Sequence, residues 1–132
     1  MLSDFILPMR IFLVEDDKIY SDFIRKALSQ NANYNVTAFS SAEDAMTELN
    51  GSFPDVLIID YKLPGMTGIT MYESIKPKIS QNTKVIMLSA IDDGNMVLSF
   101  IQKGVRDYVI KDENVIEALE AIITGTEELF FK

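Results

Sequence analysis

The sequence contains neither cysteine nor histidine. The absence of cysteine excludes a disulfide scaffold and thiolate metal sites, and it fits the reducing cytoplasm, where we expect the protein to work. The absence of histidine excludes imidazole as a general base, as a metal ligand and as a phosphate carrier on this chain. Any chemistry must therefore use carboxylates, hydroxyls, lysines and backbone groups.

Basic charge is also scarce, because 12 lysine and arginine residues face 20 aspartate and glutamate residues and the formal net charge is −8. A nucleic-acid backbone would be repelled by most of such a surface, so we expect no direct contact with nucleic acid. No apolar run approaches the roughly 20 residues that a membrane-spanning helix needs. The first residues also lack the basic and apolar parts of a signal peptide, so we expect no membrane segment.

Length and composition predict one globular domain. The chain has 132 residues, of which 48% are hydrophobic and 24% charged, a balance typical of a folded single domain. We expect residues 9–124 to form this domain, because Met9 and Arg10 lead directly into the first apolar run. Residues 1–8 are interpreted as an N-terminal extension, and residues 125–132 as a tail or the start of a linker.

Short apolar runs alternate with amphipathic segments five times along the sequence. Strands are predicted at residues 11–14, 34–39, 56–59, 84–88 and 106–110. A helix is predicted after each strand: at about 19–28, from a cap at Ser40-Ser41 to about 49, at about 71–76, at about 93–103 and from about 112 onward. The apolar residues of the first helix are Ile19, Phe23, Ala27 and Leu28.

This alternation predicts an α/β fold with a parallel sheet and helices on both of its faces. Five such units on a chain of this length predict a doubly wound, flavodoxin-like sheet with strand order 2-1-3-4-5. Functional sites in such sheets lie beyond the carboxyl ends of the strands, where the strand order reverses. The residues that directly follow the strands are therefore the candidates for a site.

Polar side chains follow four of the five predicted strands. They are Glu15-Asp16-Asp17 after the first strand, Asp60 after the third, Ser89-Ala90 after the fourth and Lys111 after the fifth. Carboxylates crowded together are stable only with a cation between them. Oxygen ligands without histidine or cysteine favour Mg²⁺, or Mn²⁺ in its place. We therefore predict a divalent metal site at this edge of the sheet.

Asp60 is the natural nucleophile of this set, because it ends an apolar strand and is the central carboxylate. A carboxylate in that position could form an acyl phosphate. The metal, Lys111 and the hydroxyl of Ser89 would then neutralise or hydrogen-bond the phosphoryl oxygens, and the small Ala90 would leave room for them. Singly, each residue has an ordinary structural explanation, and Asp17 is predicted to cap the first helix.

Five segments of the sequence resemble the receiver domains of two-component response regulators. They are IFLVEDD at 11–17, PDVLIID at 54–60, LPGMTG at 63–68, VIMLSA at 85–90 and GVRDYVIK at 104–111. The segments occur in order and at suitable spacing, so the resemblance covers the chain from Arg10 to about Ile123. Each segment alone would be a weak signal, whereas the five together are specific.

The resemblance implies a phosphoryl transfer to Asp60 from a histidine of a sensor kinase or of a histidine phosphotransfer protein. It implies Mg²⁺ held by Asp16, Asp60 and the backbone carbonyl of Lys62, with Glu15 acting largely through ordered water. The domain would therefore be a signalling phospho-acceptor rather than a turnover enzyme.

The resemblance also implies a conformational switch. Ser89 would turn toward the phosphoryl group, and Tyr108 would move from an outward to an inward position. This change would remodel the face formed by the fourth helix, the fifth strand and the fifth helix. A downstream protein, an output domain or a second phosphorylated copy of the chain would dock on that face.

The sequence departs from the commonest family pattern after Lys111. A proline, usually cis, often follows this lysine in the family, whereas Asp112 follows it here. The departure concerns the shape of the loop rather than the chemistry. Asp112 is interpreted as the N-cap of the last helix.

Two rim positions are predicted to control the lifetime of the phosphoryl group. Lys62 and Ile91 lie two residues after Asp60 and Ser89, where members of the resembled family tune the access of water. A long basic side chain and a β-branched apolar one should hinder an attacking water molecule. We therefore predict slow self-dephosphorylation.

Two other functions compete with this interpretation. A phosphohydrolase of the haloacid-dehalogenase type also uses an aspartyl nucleophile, but it needs an acidic residue two positions later, where this chain has Lys62. A receiver fold kept only as a phosphorylation-independent binding module is the second. No residue of the acidic, hydroxyl and lysine set has been lost, which argues against it. A P-loop is excluded because the sequence has no Gly-x-x-x-x-Gly-Lys-Ser/Thr segment.

Overall fold

The computed structural model describes residues 7–90 and 94–125, which form five strands and five helices in strict alternation. In chain order they are β1 Met9–Val14, α1 Lys18–Leu28, β2 Tyr34–Phe39, α2 Ala42–Leu49, β3 Val56–Asp60, α3 Gly68–Ile75, β4 Lys84–Ser89, α4 Gly94–Gln102, β5 Asp107–Ile110 and α5 Val115–Thr124. All paired strands are parallel and their order is β2-β1-β3-β4-β5. The predicted doubly wound fold is confirmed.

The sheet separates two apolar cores, because successive side chains of a strand point to opposite faces. Phe12, Val14, Leu57 and Ile59 face the core that α2, α3 and α4 cover. The other core lies under α1 and α5 and includes Ile11, Leu13, Ile58, Ile86 and Leu88 from the strands. Every residue of the central strand β3 is buried, which explains its continuous apolar sequence.

Side-chain caps fix the beginnings of three helices. Asp17, Ser41 and Thr67 accept hydrogen bonds from backbone amides in the first turns of α1, α2 and α3, which satisfies donors that a helix cannot pair internally. The caps predicted at Asp17 and at Ser41 are confirmed. These caps set the rotation and the starting point of α1 and α3, the two helices that begin beside the acidic residues.

The predicted cap at Asp112 is wrong. Helix α5 begins at Val115 with Asn114 in the N-cap position, and Asn114 makes no side-chain cap. The carboxylate of Asp112 instead accepts from the Asn114 amide at 2.9 Å. An aspartate bonded to the amide two residues later stabilises a turn, so Asp112 shapes the loop that precedes the helix. No cis peptide bond occurs among the described residues.

Helix α1 turns a different face to the core than its apolar residues suggest. Its buried residues are Ser21, Ile24 and Leu28, whereas Ile19 is 85% exposed and Phe23 is 48% exposed. The buried positions follow helical spacing, but a small serine occupies the first of them. Exposed apolar side chains also occur at Leu98 and Ile101 on α4 and at Tyr108 on β5.

The C-terminal end of α4 is attached to α3 by three polar contacts, which we call the α3–α4 clasp. The hydroxyl of Tyr72 donates to the Gly104 carbonyl at 3.1 Å, and Nζ of Lys76 donates to the Lys103 carbonyl at 2.9 Å. Nζ of Lys103 pairs with Oε1 of Glu73 at 3.1 Å. Gly104 has a φ of +94°, a backbone region that favours glycine.

Several predictions fall outside the described residues. They concern Ile91, most of the N-terminal extension at 1–8 and most of the tail at 125–132. The domain boundaries therefore stay predictions. Within the described parts of the chain, no helix is both long and apolar enough to cross a membrane.

Candidate functional site

The polar residues that follow four strands lie along one edge of the sheet. Parallel pairing places Val14 beside Ile59, Asp60 beside Leu88 and Ser89 beside Ile110. The strands therefore end at nearly the same level, and the next residues of the chain meet there. The amide of Lys111 donates to the Ser89 carbonyl at 2.8 Å and extends this pairing one residue further.

Asp60 lies at the centre of this edge and is only 5% exposed. Its Oδ2 accepts from Nζ of Lys111 at 2.9 Å, and its Oδ1 accepts from the backbone amide of Lys62 at 3.3 Å. Both carboxylate oxygens thus have a donor, which a buried carboxylate requires. The lysine and the loop after β3 hold the carboxylate in one orientation.

Glu15 shares the same lysine. Its Oε1 accepts from Nζ of Lys111 at 2.6 Å, and its Oε2 accepts from the Asp17 amide at 3.2 Å. Glu15 is 2% exposed, so the ammonium of Lys111 bridges two buried carboxylates. The Asp17 side chain caps α1 and takes no part in the bridge.

Asp16 completes an acidic cluster. Carboxylate oxygens of Glu15, Asp16 and Asp60 lie within 4.8 Å of one another. Asp16 is exposed, whereas the other two are buried, so a cation could reach the cluster from the side of Asp16. A cluster of carboxylate oxygens suits a hard divalent ion such as Mg²⁺.

Lys111 alone does not neutralise the negative charge of the acidic cluster. Burial raises the pKa of Glu15 to about 7, and the neighbouring Asp60 adds to the increase, against the opposing effect of Lys111. Burial by itself would lower the pKa of Lys111, but its bonds to Glu15 and Asp60 outweigh this and raise it. The site therefore holds excess negative charge around one fixed cation, an arrangement that fits a further cation.

The remaining predicted residues lie around this centre. The hydroxyl of Ser89, a residue 1% exposed, donates to the carbonyl of half-buried Ala90 at 3.2 Å. Tyr108 is 39% exposed on the edge strand β5 and so occupies an outward position. Lys62 lies in the loop directly after β3, where its amide contacts Asp60.

Sequence reasoning missed two residues of the site. The ring of Tyr20 lies under Lys111, with 4.6 Å between Nζ and the ring centre. Gly68 at the start of α3 lies against the backbone of Asp60, because a Cβ there would be 2.2 Å from the Asp60 carbonyl oxygen. The Asp17 cap could have placed Tyr20 in the first turn of α1, but nothing in the sequence links it to Lys111. Gly68 ends the segment LPGMTG at 63–68, but the sequence assigned it no role of its own.

A groove of about 530 Å³ lies at the opposite edge of the sheet. Lys84, Val85 and Asp107, from the first residues of β4 and β5, line it together with Tyr72 and Gly104. None of the residues of the acidic edge lines this groove. This groove is therefore separate from the acidic edge.

Comparisons with known proteins found a matching family and several relatives. Residues 11–123 match the family described as "Response regulator receiver domain". The chemotaxis protein CheY of Bacillus subtilis is 31% identical over 113 residues, which cover 86% of this chain and 93% of that protein. The probable transcriptional regulatory protein NarL of Mycobacterium tuberculosis is 27% identical over 116 residues. That match covers 87% of this chain but 53% of the relative, so the chain spans about half of NarL.

Solved structures resemble this fold. The receiver domain of the Francisella response regulator 1452 superimposes with a TM-score of 0.74 and 25% identity, covering 89% of this chain and 98% of that one. The BeF3-activated receiver domain of nitrogen regulatory protein C gives a TM-score of 0.72 and 26% identity, covering 96% of this chain and the whole of that one.

Proposed function

The chain belongs to the response regulator receiver domain family, and from that premise we propose that Asp60 accepts a phosphoryl group from a partner's phosphohistidine. The observation that carries the proposal is the environment of Asp60. A buried carboxylate at the end of the central strand receives hydrogen bonds from Lys111 and from the Lys62 amide. The carboxylates of Glu15 and Asp16 lie beside it.

In the proposed transfer, a carboxylate oxygen of Asp60 attacks phosphorus. The bond between phosphorus and the imidazole nitrogen breaks, and the leaving nitrogen takes up a proton. The products are an aspartyl phosphate on this chain and a free histidine on the partner, a sensor kinase or a histidine phosphotransfer protein. This chain has no histidine, so the donor must come from another protein or from a small acyl phosphate.

The residues around Asp60 have distinct tasks in this proposal. Lys111 already contacts the acceptor carboxylate at 2.9 Å, so its ammonium can follow a phosphoryl oxygen with little movement. The Ser89 hydroxyl now donates to the Ala90 carbonyl and would rotate to donate to the phosphoryl group. Preorganised donors of this kind stabilise charge as it develops.

The donor set fits Mg²⁺ or Mn²⁺, since it offers carboxylate oxygens and no nitrogen or sulfur ligand. Asp16, Asp60 and the backbone carbonyl of Lys62 would hold the ion, with Glu15 acting through water. When bound, the metal would supply positive charge that offsets the phosphoryl oxygens. The pKa of Glu15, raised to about 7 by burial, supports a site that needs more positive charge than Lys111 gives.

We further propose that phosphorylation changes the face formed by α4, β5 and α5. Leu98, Ile101 and Tyr108 expose apolar surface there, and Tyr108 would move inward as Ser89 turns toward the phosphoryl group. A downstream protein, an attached output domain or a second phosphorylated copy would dock on this face. The domain acts as a signalling acceptor, and turnover is limited to its own phosphorylation and dephosphorylation.

Direct nucleic-acid binding is not part of the proposal for this segment. The net charge of −8 opposes it. The name of NarL describes a probable transcriptional regulatory protein, and this chain spans about half of that relative. If the chain works in transcription, we propose that another part of the full protein contacts the nucleic acid.

The proposal is tested by intact mass after incubation with Mg²⁺ and a small acyl phosphate. We expect a gain of one phosphoryl group that is lost in Asp60→Asn and after chelation of the metal. Asp55→Asn is the matched control, because Asp55 lies at the opposite end of β3. A wild-type protein that binds Mg²⁺ but gains no mass would contradict the proposal and favour a phosphorylation-independent binding module.

The rim residues give a second test, based on the decay of the phosphorylated protein. Lys62 lies in the loop directly after β3, and we propose that it and Ile91 restrict access of water to the phosphoryl group. Replacement of both by asparagine or glutamate should accelerate loss of phosphate, measured by mass over time with Mg²⁺ after removal of the donor. Decay at the wild-type rate in the double variant would refute the idea.

A further inference from the structure

The ammonium group of Lys111 is enclosed on three sides. It donates to Glu15 at 2.6 Å and to Asp60 at 2.9 Å, and it lies 4.6 Å from the centre of the Tyr20 ring. The Lys111 side chain is 22% exposed, so most of it is shielded from water. An ammonium over an aromatic face is attracted to it, and the attraction grows as water is excluded.

Tyr20 reaches this position because of where α1 begins. The Asp17 side chain accepts from the Tyr20 amide at 3.1 Å, which fixes Tyr20 in the first turn of the helix. Its ring lies 5.9 Å from the ring of Phe23 and packs against the core under α1 and α5. The helix cap therefore fixes the backbone of Tyr20, and the core contacts fix its ring in one position beside Lys111.

The hydroxyl of Tyr20 does not explain why the residue is there. It is buried and has no hydrogen-bond partner, the one side-chain atom in that condition among the residues that the structure describes. Burial raises the pKa of Tyr20 above its ordinary value, so the hydroxyl stays protonated. A buried polar group without a partner weakens a fold. The ring face alone makes the contact with Lys111.

We propose that Tyr20 is a positioning residue whose ring holds the Lys111 ammonium between Glu15 and Asp60. Without the ring, the lysine side chain would gain conformations that point into solvent, and each phosphorylation would have to order it again. A contact of this kind at a partly exposed site corresponds to a change of about two- to five-fold in rate. The expected change in the phosphorylation rate rests on the function proposed for Asp60, whereas the contact between Tyr20 and Lys111 does not.

The first measurement needs no phosphate donor. The methylene protons beside the Lys111 ammonium lie near an aromatic face, so their NMR signal should be displaced upfield of the other lysines. Tyr20→Leu and Tyr20→Met remove the ring and should abolish this displacement, whereas Tyr20→Phe should keep it. Two ring-free variants are compared so that one of them can fail to fold without loss of the test.

The second measurement is the rate of phosphorylation by a small acyl phosphate with Mg²⁺. We expect Tyr20→Leu and Tyr20→Met to be about two- to five-fold slower and Tyr20→Phe to match the wild type. Tyr34→Leu is the control, because Tyr34 packs against the same core from β2. That control should change neither the rate nor the Lys111 signal.

Each contrary result overturns the proposal. If the Lys111 signal stays displaced in both ring-free variants, the ring does not contact the lysine as proposed. If both variants are phosphorylated at the wild-type rate, the contact does not affect phosphorylation. A Tyr20→Phe variant as slow as Tyr20→Leu would assign the role to the hydroxyl. If the wild type takes up no phosphate, the function proposed for Asp60 fails, while the Lys111 signal still decides whether the ring positions the lysine.

Discussion

Single residues at the acidic edge differ in how their charge is compensated. Lys111 serves two carboxylates at once, and burial raises the pKa of Glu15 to about 7. In the metal-free protein, Glu15 therefore carries a proton at slightly acidic pH, where the same side chain in the unfolded chain is already ionised. The stability of the metal-free domain should therefore depend on pH in the range where Glu15 titrates.

The sign of that dependence follows from linkage. The folded pKa of Glu15 lies above its ordinary value of 4.5, so the folded state binds more protons between these two values. Its contribution to stability is complete below about pH 4.5 and is lost as the pH rises through about 7, about 3 kcal/mol in all. Urea titrations in chelator, compared between wild type and Glu15→Gln, should show this loss only in the wild type.

Metal gives the control for the same titrations. A cation beside Glu15 favours the ionised carboxylate. With saturating Mg²⁺, the free energy of unfolding should therefore change with pH equally in the wild type and in Glu15→Gln. If the free energy of unfolding changes with pH equally in both proteins in chelator, the raised pKa of Glu15 is contradicted.

At the scale of elements, the start of α3 is built against the end of β3. The Gly68 amide donates to the Tyr61 carbonyl at 2.8 Å. A Cβ at Gly68 would lie 2.2 Å from the carbonyl oxygen and 2.9 Å from the carbonyl carbon of Asp60. Both contacts involve backbone atoms, which cannot turn aside as a flexible side chain would. The helix and the acceptor strand therefore approach this closely only with glycine.

Gly68→Ala should consequently move the end of β3. We expect a loss of about 1–3 kcal/mol in the free energy of unfolding, as overpacking typically causes, and slower phosphorylation of Asp60. Gly51→Ala is the matched control, because a Cβ there meets nothing closer than 3.7 Å. Denaturant titration of both variants decides the point, and equal stability would contradict the close approach at Gly68.

The elements also show what the sequence can and cannot predict. Apolar runs such as 56–59 predicted the strands well, because a strand buried on both faces must be apolar throughout. The rotation of α1 was not predictable from its apolar residues. Ser21 is buried while Ile19 is exposed, since the Asp17 cap and the packing on α5 set the rotation. Asp112 was mistaken for a cap because a turn and a helix start favour the same residue type.

At the scale of the whole molecule, the fold explains why four strand ends could be assigned to one site. Parallel strands put their carboxyl ends on one edge, so residues such as Glu15 and Lys111, far apart in sequence, were expected to meet. The contact between Tyr20 and Lys111 could not be expected in this way. It depends on how α1 lies over the sheet, which neither strand order nor residue type fixes.

Two separate apolar surfaces flank this site, and we expect them to have separable effects. Ile19 and Phe23 are exposed on α1 near the acidic edge, and Leu98 and Ile101 are exposed on α4. Ile19→Ser, which leaves the ring contact between Phe23 and Tyr20 in place, should slow phosphoryl transfer from a partner kinase but leave transfer from a small acyl phosphate unchanged, because only a protein donor needs a docking surface. Serine at both α4 positions is the matched control and should leave the ratio of the two rates at its wild-type value, because any effect of α4 on Asp60 acts on both donors alike. Slower transfer from the small donor in the α1 variant would contradict this division.

The α3–α4 clasp fixes one end of α4, so any movement of the helix would be largest at its other end. Tyr72 and Lys76 hold the backbone at Lys103 and Gly104, just beyond the last residue of the helix. The other end of α4 lies toward the acidic edge, about 13 Å away for a helix of nine residues. A rotation of about 10° around the clasp would carry that end about 2 Å, while the clasped end would hardly move. A phosphoryl group added at the acidic edge would thus need to move α4 only slightly to displace its exposed side chains by a larger distance.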